Sequence, residues 1–214
     1  MPATQGTAAA PAPGGTVLFD LFGVLARPQS AAGRRRLVRV AGAPETAFWD
    51  AYGDLRPPYD RGETDGPGYW RQVAARLGTR LDRARTAELI AADVESWSAV
   101  DGATVALVGE LAARGTTLGL LSNIPEELAR HYESRHAWLG HFRLRAFSCR
   151  IGHAKPAPAA YRWCLAALPG PPERILFVDD REENVRAAEA AGLRGHHFTG
   201  AERLRACLAD RDGR

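Results

Sequence analysis

The sequence predicts an α/β protein, with a Rossmann-like core built on a parallel sheet and a small α-helical subdomain inserted into that core. Two observations predict this fold. Short apolar runs of strand length alternate with helical patterns along most of the chain, which is typical of a parallel sheet covered by helices on both faces. One block of the chain breaks the alternation, because it carries helical patterns and no strand pattern.

The core is predicted from four apolar runs. The first run, TVLFD at residues 16–20, follows two glycines and ends in an acid, which favours a buried strand. A helical stripe at residues 101–114 precedes the second run, and a helix-like stretch follows each later run. The later strands are predicted at residues 117–122, 174–179 and 193–198, and the helices after them at residues 125–136, 181–191 and 200–209.

The insert is predicted directly after the first strand. It carries helical patterns at residues 31–40, 45–55, 68–77 and 83–97. We therefore expect a core at residues 16–27 and 99–214 and a helical subdomain at residues 28–98. Residues 1–15 are rich in Pro, Ala and Gly and lack the charged and apolar regions of a signal peptide, so a disordered tail is expected there.

Charge and composition argue against several classes of partner. The 214 residues carry a net charge of +3 and 25% charged residues, which does not call for a nucleic-acid partner. No apolar run approaches the roughly 20 residues of a membrane span. The three cysteines are odd in number and form no CxxC pair, so free thiols in the cytoplasm are expected. A monomer and a homodimer both remain open.

Residues that can carry chemistry follow the ends of three predicted strands. In an open parallel sheet, ligands bind outside the carboxyl ends of the strands. We therefore expect these side chains to share one edge of the sheet. They are Asp20 after the first strand, Ser122 and Asn123 after the second, and Asp179 and Asp180 after the third.

Lys155 is the only lysine among 28 basic residues. It lies in a loop before a helix that Pro156 is expected to begin, near the same edge of the sheet. An ammonium group is a compact point charge, whereas a guanidinium is a broad planar fork. A single lysine among arginines is therefore a candidate for a narrow binding site.

This set of residues suits phosphoryl chemistry. A carboxylate such as Asp20 can attack phosphorus and form an aspartyl-phosphate, beside backbone N–H groups exposed around Gly23. A Mg²⁺ ion held by Asp20 and an acid after the third strand would remove the repulsion between carboxylate and phosphate. Ser122 and Asn123 can donate hydrogen bonds to the transferring oxygens, and Lys155 adds positive charge.

Four motifs in order resemble those of the haloacid dehalogenase superfamily: FDLFGVL, LLSN, AKP and FVDDREENVRAAEAAG. The resemblance covers residues 16–208, and the helical insert lies where the C1 cap of subfamily IA lies. It implies that Asp20 is the nucleophile and a metal ligand, and that Phe22 gives the metal its backbone carbonyl. It also implies that Ser122 and Asn123 bind phosphate and that Lys155 bridges nucleophile and phosphate.

The fourth motif is expected to hold the metal. Counting back from Ala191 and Gly192 aligns Asp180 with the main metal-binding acid of the superfamily. Asp179 is the near alternative, and Asn184 matches a helper one helical turn further on. The implied cofactor is Mg²⁺, and the implied partner is a small phosphorylated metabolite.

One position departs from the pattern of the superfamily. Its phosphatases carry an Asp two residues after the nucleophile, which protonates the leaving oxygen and later activates water; this chain has Phe22. The chain looks most like bacterial glucose-1-phosphate phosphatases, which also lack that acid and whose short cap contains a stretch similar to residues 59–64. The favoured interpretation is Mg²⁺-dependent hydrolysis of a phosphomonoester, such as a sugar phosphate. Arg56 and Arg61 are the cap residues expected to bind substrate.

Two alternatives remain at this point. A 2-haloacid dehalogenase attacks carbon without a metal and carries an aromatic residue where Phe22 stands; Arg56 or Arg61 would then receive the halide. The adjacent Asp179 and Asp180 argue against this alternative, because they would repel an incoming carboxylate. The other alternative is a non-catalytic member that binds a phosphorylated ligand.

Overall fold

A five-stranded parallel sheet forms the centre of the molecule in this computed structural model, which describes residues 15–212, without the side chains of residues 210–212. The strand order is β3-β2-β1-β4-β5, and every neighbouring pair is parallel. The α/β fold with a parallel sheet is therefore confirmed. The strands are β1 at Thr16–Phe19, β2 at Thr117–Ser122, β3 at Leu144–Phe147, β4 at Ile175–Asp179 and β5 at Arg194–His197.

Strand β3 is the one strand that the sequence prediction missed. It contains only four residues, LRAF, and its first two are not fully buried. A short run with an arginine in it lacks the continuous apolar pattern that marks a strand buried on both faces. Its pairing with the second half of β2 holds it in place, with Phe147 opposite Ser122.

Five helices follow β1 and form a block that we call the helical block, residues 31–96. Polar side chains begin three of them: Ser30, Asp65 and Asp82 each accept a hydrogen bond from the backbone N–H three residues on. The Asp65 cap starts its helix at Gly66, two residues before the predicted start at 68. The helices are α1 at Ala31–Ala41, α2 at Glu45–Asp54, α3 at Arg56–Asp60, α4 at Gly66–Arg76 and α5 at Arg83–Ser96.

In the described part of the chain, six further α-helices connect and cover the strands. The start of the helix after Lys155 differs from the prediction, because this helix begins at Pro158 and not at Pro156. Ala157 has an extended backbone and precedes the first turn. The helices are α6 at Gly102–Ala113, α7 at Glu126–Arg135, α8 at Ser148–Ile151, α9 at Pro158–Ala167, α10 at Glu182–Ala190 and α11 at Ala201–Asp212.

Apolar packing covers both faces of the sheet. Side chains alternate along each strand, so Val17 and Phe19 of β1 join one apolar cluster and Leu18 joins another. All three of these side chains are fully buried. The carboxyl edge of the sheet therefore stands on a rigid base.

The helical block has its own apolar cluster, separate from those of the sheet. Phe48, Tyr69 and Trp70 are fully buried in it, and their rings make edge and stacked contacts. Helices α1 and α5 pack along each other at the end of the block that returns to the sheet. Within the described residues, no helix is both long enough and apolar enough to cross a membrane. The tail predicted at residues 1–15 lies outside the described residues, apart from Gly15.

Candidate active site

The carboxyl ends of the strands bring most of the predicted residues to one cavity of about 290 Å³. Asp20 follows β1 directly and is held against β4, because its backbone N–H donates to the carbonyl of Val178 at 2.8 Å. Residues from the helical block close the other side of the cavity. The lining consists of Asp20, Phe22, Gly23, Pro28, Tyr52, Arg56, Asp60, Trp97, Asn123, Lys155, Asp180, Arg181 and Asn184.

Lys155 lies between two carboxylates. Its Nζ is 2.6 Å from Oδ1 of Asp20 and 2.6 Å from Oδ2 of Asp179, and 2% of its side chain is exposed. Burial raises the pKa of Asp20 to about 7 against the opposing effect of the lysine. Desolvation disfavours the charged lysine, but the two carboxylates together hold the pKa of Lys155 above its usual value.

Asp179 and Asp180 are neighbours in sequence with different surroundings. Asp179 is fully buried and accepts hydrogen bonds from the Arg181 backbone N–H at 2.8 Å and from the Asn184 amide at 3.0 and 3.1 Å. Asp180 lines the cavity, and its buried Oδ1 has no hydrogen-bond partner among the described residues. Burial and the nearby Asp179 raise the pKa of Asp180.

Gly23 makes room for the Asp180 carboxylate. Its φ is +91°, and an added Cβ would lie 2.1 Å from Oδ2 of Asp180. Its backbone N–H donates to the carbonyl of Ala26 at 2.7 Å. Of the N–H groups expected around Gly23, that of Gly23 itself is used within a tight loop after β1, and the role of Gly23 in binding substrate stays a prediction.

Ser122 ends β2 and Asn123 follows it, but their side chains differ in their hydrogen bonds. The Oγ of Ser122 is buried without a hydrogen-bond partner among the described residues. The Asn123 amide donates to the carbonyl of Lys155 and accepts from its N–H, both at 2.8 Å. Both ends of the Asn123 side chain thus hold the Lys155 loop, and its role in binding phosphate stays a prediction.

Phe22 lies in an aromatic group at the mouth of the site. Its ring centroid is 4.9 Å from that of Trp97 and 5.8 Å from that of Tyr132. The apolar contacts of this ring explain why an aromatic residue suits the position.

The two cap arginines of the prediction have separate positions. Arg56 lines the cavity, and its guanidinium bonds Asp60 at 2.8 Å and Asp93 at 2.9 Å. Arg61 follows the end of α3 and pairs with Glu63 at 2.6 Å, away from the cavity lining. The structure therefore places Arg56 in the cavity lining but not Arg61, and a substrate contact of Arg61 stays a prediction.

Three carboxylates form the acidic trio, Asp20, Asp179 and Asp180. One oxygen of each lies within 4.8 Å of the others. With all three ionised, Lys155 leaves two negative charges uncompensated in a largely buried place, which is costly. Oδ1 of Asp180 and Oδ1 of Asn184 are also buried without a hydrogen-bond partner among the described residues, which likewise favours a bound cation. The donor set is all oxygen, and it fits a hard divalent cation such as Mg²⁺.

Several residues of the site were not among those assigned to it from the sequence. Tyr52 and Asp60 line the cavity from the helical block, Trp97 lines it directly after the block, and Ser148 joins the block to the sheet. Asp60 stands within residues 59–64, the stretch that resembles a phosphatase cap, so a signal existed for this residue. Nothing in the local pattern marks Tyr52 or Trp97 as different from the aromatic core of the block.

Comparisons with known proteins agree on one family. Residues 15–192 match the family of haloacid dehalogenase-like hydrolases. The chain is 31% identical over 193 residues to a phosphoglycolate phosphatase of Cereibacter sphaeroides, covering 86% of this chain and 84% of that protein.

Two solved structures share the fold at lower identity. A haloacid dehalogenase family enzyme from Bacteroides thetaiotaomicron, in complex with magnesium and inorganic phosphate, superposes with a TM-score of 0.68 at 16% identity, covering 85% of this chain and 92% of that one. An L-2-haloacid dehalogenase from Xanthobacter autotrophicus gives a TM-score of 0.63 at 19% identity, covering 84% and 75%. The fold alone therefore does not distinguish a dehalogenase from an enzyme that binds magnesium and phosphate. The sequence matches are unambiguous: the chain belongs to the family of haloacid dehalogenase-like hydrolases.

Proposed function

We propose that this hydrolase is a Mg²⁺-dependent phosphomonoester hydrolase that forms an aspartyl-phosphate on Asp20. The observation that carries the proposal is the acidic trio with Lys155 at its centre, on the carboxyl edge of the sheet. The substrate is a small phosphorylated metabolite, such as a sugar phosphate, because the cavity of about 290 Å³ is at the small end of ligand sites.

Each residue has a defined task in this proposal. The carboxylate of Asp20 attacks phosphorus in line, and the leaving alcohol departs toward the helical block. Lys155 balances charge on Asp20 and on the transferring oxygens, while the unpartnered Oγ of Ser122 donates to one of them. Asn123 fixes the Lys155 loop through two hydrogen bonds.

The metal would be held by Asp20, Asp180 and the backbone carbonyl of Phe22. When bound, Mg²⁺ supplies positive charge that offsets the repulsion between carboxylate and phosphate. Asp179 stays at the buried end of Lys155, where its carboxylate already accepts hydrogen bonds from Asn184 and the Arg181 backbone. We therefore assign Asp180 as the main acidic ligand from the fourth motif and Asp179 as the residue that positions Lys155.

The helical block acts as the cap in this proposal. It contributes Tyr52, Arg56 and Asp60 to the cavity wall opposite Asp20, where a leaving group would lie. A cavity closed on this side excludes bulk water from the aspartyl-phosphate until the alcohol has left. The free state of Cys149, Cys164 and Cys207 supports a reducing cytoplasm as the place of action.

Two kinds of similar protein support a phosphatase. One is named a phosphoglycolate phosphatase, and a phosphoserine phosphatase from Thermus thermophilus is 34% identical over 90 residues. The Bacteroides enzyme of the same fold was solved with magnesium and inorganic phosphate.

Phosphate release tests the proposal. The purified protein is incubated with p-nitrophenyl phosphate and a panel of sugar phosphates, with Mg²⁺ or with EDTA. We expect release with Mg²⁺ only, and loss of at least about 1000-fold in Asp20→Asn, because an amide is not a nucleophile for phosphorus. Asp54→Asn, which removes an exposed acid of the helical block paired with Arg76, is the matched control. Equal release in EDTA, or an active Asp20→Asn variant, contradicts the proposal.

One observation favours a second candidate function. Phe22 stands where 2-haloacid dehalogenases also carry an aromatic residue, and one of them shares the fold. A dehalogenase reaction needs no metal, and its halide leaves without a proton. Release of chloride from 2-chloropropionate in EDTA would support it, and the acidic trio is the reason to expect none.

A further inference from the structure

The proposed hydrolysis needs a proton that Phe22 cannot supply. An alcohol leaves phosphorus far more readily when its oxygen is protonated as the bond breaks. The Phe22 ring packs against Trp97 and Tyr132 and carries no exchangeable proton. Another group on the cavity wall must therefore take over this task if the substrate is an alkyl or sugar phosphate.

Most ionisable groups of the cavity wall are already committed. Asp20 and Asp180 belong to the acidic trio, and Lys155 pairs with two carboxylates. The Tyr52 hydroxyl donates to Asp93 and accepts from Arg56 and from the Trp97 indole. Among the described residues that line the cavity, the remaining carboxylic acid is Asp60.

Asp60 is fixed in place at the boundary between the helical block and the sheet. Its backbone carbonyl accepts a hydrogen bond from Ser148 Oγ, which itself accepts from the Ile124 N–H at 2.8 Å. Two residues on, Gly62 has a φ of +73°, and an added Cβ there would lie 2.2 Å from the carbonyl oxygen of Cys149. The end of α3 thus rests directly on the segment after β3, near the Asn123 end of β2.

The Asp60 side chain is held but not saturated. Its Oδ1 accepts from Arg56 Nε at 2.8 Å, and 16% of the side chain is exposed. Burial raises the pKa of Asp60 in spite of Arg56, whose charge is shared with Asp93. A carboxyl group in such surroundings can hold a proton and release it to a bound oxygen.

We propose that Asp60 is the general acid and base of this enzyme, taking the place of the acid that Phe22 replaces. This inference rests on the proposed function. As Asp20 bonds to phosphorus and the bond to the leaving oxygen breaks, the Asp60 carboxyl proton passes to that oxygen. In the second step the Asp60 carboxylate takes a proton from water. The resulting hydroxide oxygen bonds to phosphorus, the bond to Asp20 breaks, and inorganic phosphate leaves with Asp20 and protonated Asp60 restored.

The dependence of rate on the leaving group tests this role. p-Nitrophenyl phosphate releases a stable phenolate that needs no proton, whereas phenyl phosphate, of nearly the same shape, releases a basic one. With Mg²⁺, we expect Asp60→Asn to lower kcat/KM for phenyl phosphate by about 100-fold and for p-nitrophenyl phosphate by less than about tenfold. Asn keeps an oxygen that can accept from Arg56, so the packing of α3 is retained.

Asp93→Asn is the matched control. It removes the other carboxylate that pairs with Arg56, but Asp93 is buried in the helical block and does not line the cavity. We expect it to lower both rates by the same factor. The proposal is overturned if Asp60→Asn also lowers both rates by one factor, because Asp60 would then act only on the shape of the site.

The wild-type enzyme gives a measurement that does not depend on the folding of any variant. Across a series of substituted phenyl phosphates, kcat/KM of the wild type should fall only slightly as the leaving phenol becomes more basic. A steep fall would mean that no proton is donated, and it would overturn the role of Asp60. Absence of Mg²⁺-dependent activity on every phenyl phosphate would instead count against the proposed function itself.

Discussion

At the scale of one residue, Gly23 shows that the site has no room for a side chain next to the Asp180 carboxylate. The loop after β1 has to bring Asp20 and Asp180 together, and the backbone at Gly23 passes directly beneath the Asp180 carboxylate. A side chain there would meet Oδ2 of Asp180, and the positive φ is strained for any residue with a Cβ. The glycine is thus needed for the acidic trio, whereas its N–H is used by the loop.

A comparison of Gly23→Ala with Gly115→Ala separates the cost of backbone strain from the cost of the clash with Asp180. Gly115 also has a positive φ, +78°, but an added Cβ there meets nothing within 4 Å. Both variants should lose about 1–2 kcal/mol in the free energy of unfolding from backbone strain. Only Gly23→Ala should lose phosphatase activity, by about 100-fold or more, since Asp180 must move. Thermal denaturation and kcat/KM measure the two effects; equal activity of the two variants would show that Asp180 has room to spare.

Elements differ in how well their sequence predicts them. Strands β1, β2 and β4 are mostly apolar and end at or directly before residues of the site, so both their positions and the convergence of Asp20, Ser122 and Asp179 follow from local pattern. Strand β3 and helix α3 are short, and tertiary contacts place them more than local preference does. Asn123 and Asp60 have roles set by partners distant in sequence, which no local pattern contains.

Helix α7 carries an ion-pair network whose stability effect depends on pH. Glu126 and Glu133 both bond Arg150 of α8, and this contact lowers the pKa of Glu126 to about 2. A lowered pKa in the folded state stabilises the fold above the unfolded value, near 4.5, and this contribution is lost as pH falls toward 2. The three side chains are partly exposed to solvent, which limits the contribution of the network.

Glu126→Gln should therefore cost less than about 1 kcal/mol in the free energy of unfolding at pH 7. The cost should shrink as pH falls from 5 and should approach zero only below about pH 2, where the wild-type carboxylate is itself largely protonated. Urea denaturation of the wild type and the variant at several pH values measures the difference. Glu182→Gln, which removes an exposed carboxylate whose ion-pair partner among the described residues is Arg186, is a control for the loss of a lone surface pair. If the stability difference between the wild type and Glu126→Gln grew at low pH, the lowered pKa of Glu126 would be contradicted.

At the scale of the whole molecule, the sheet and the helical block contribute different parts of the site. The sheet brings the acidic trio and Lys155 to one edge, on a base of fully buried side chains. The helical block brings the wall against which a leaving group would lie, and its link through Ser148 sets where that wall stands. Stability and function are therefore coupled, because charges that serve the reaction lie close together in the folded chain and apart in the unfolded one.

This coupling predicts opposite effects of one substitution with and without metal. In EDTA, Asp180→Asn removes one of three clustered carboxylates, relieves their repulsion and should raise Tm by a few degrees. With Mg²⁺ at 100 times its Kd, the wild type should gain about 2.7 kcal/mol, or roughly 5–10 °C in Tm for a chain of this size. The variant should gain little, since its main ligand is gone. The order of the two Tm values therefore reverses when Mg²⁺ is added, which differential scanning calorimetry can measure without any substrate. Asp54→Asn should follow the wild type in both conditions, and an Mg²⁺ response in Asp180→Asn equal to that of the wild type would remove Asp180 from the metal site.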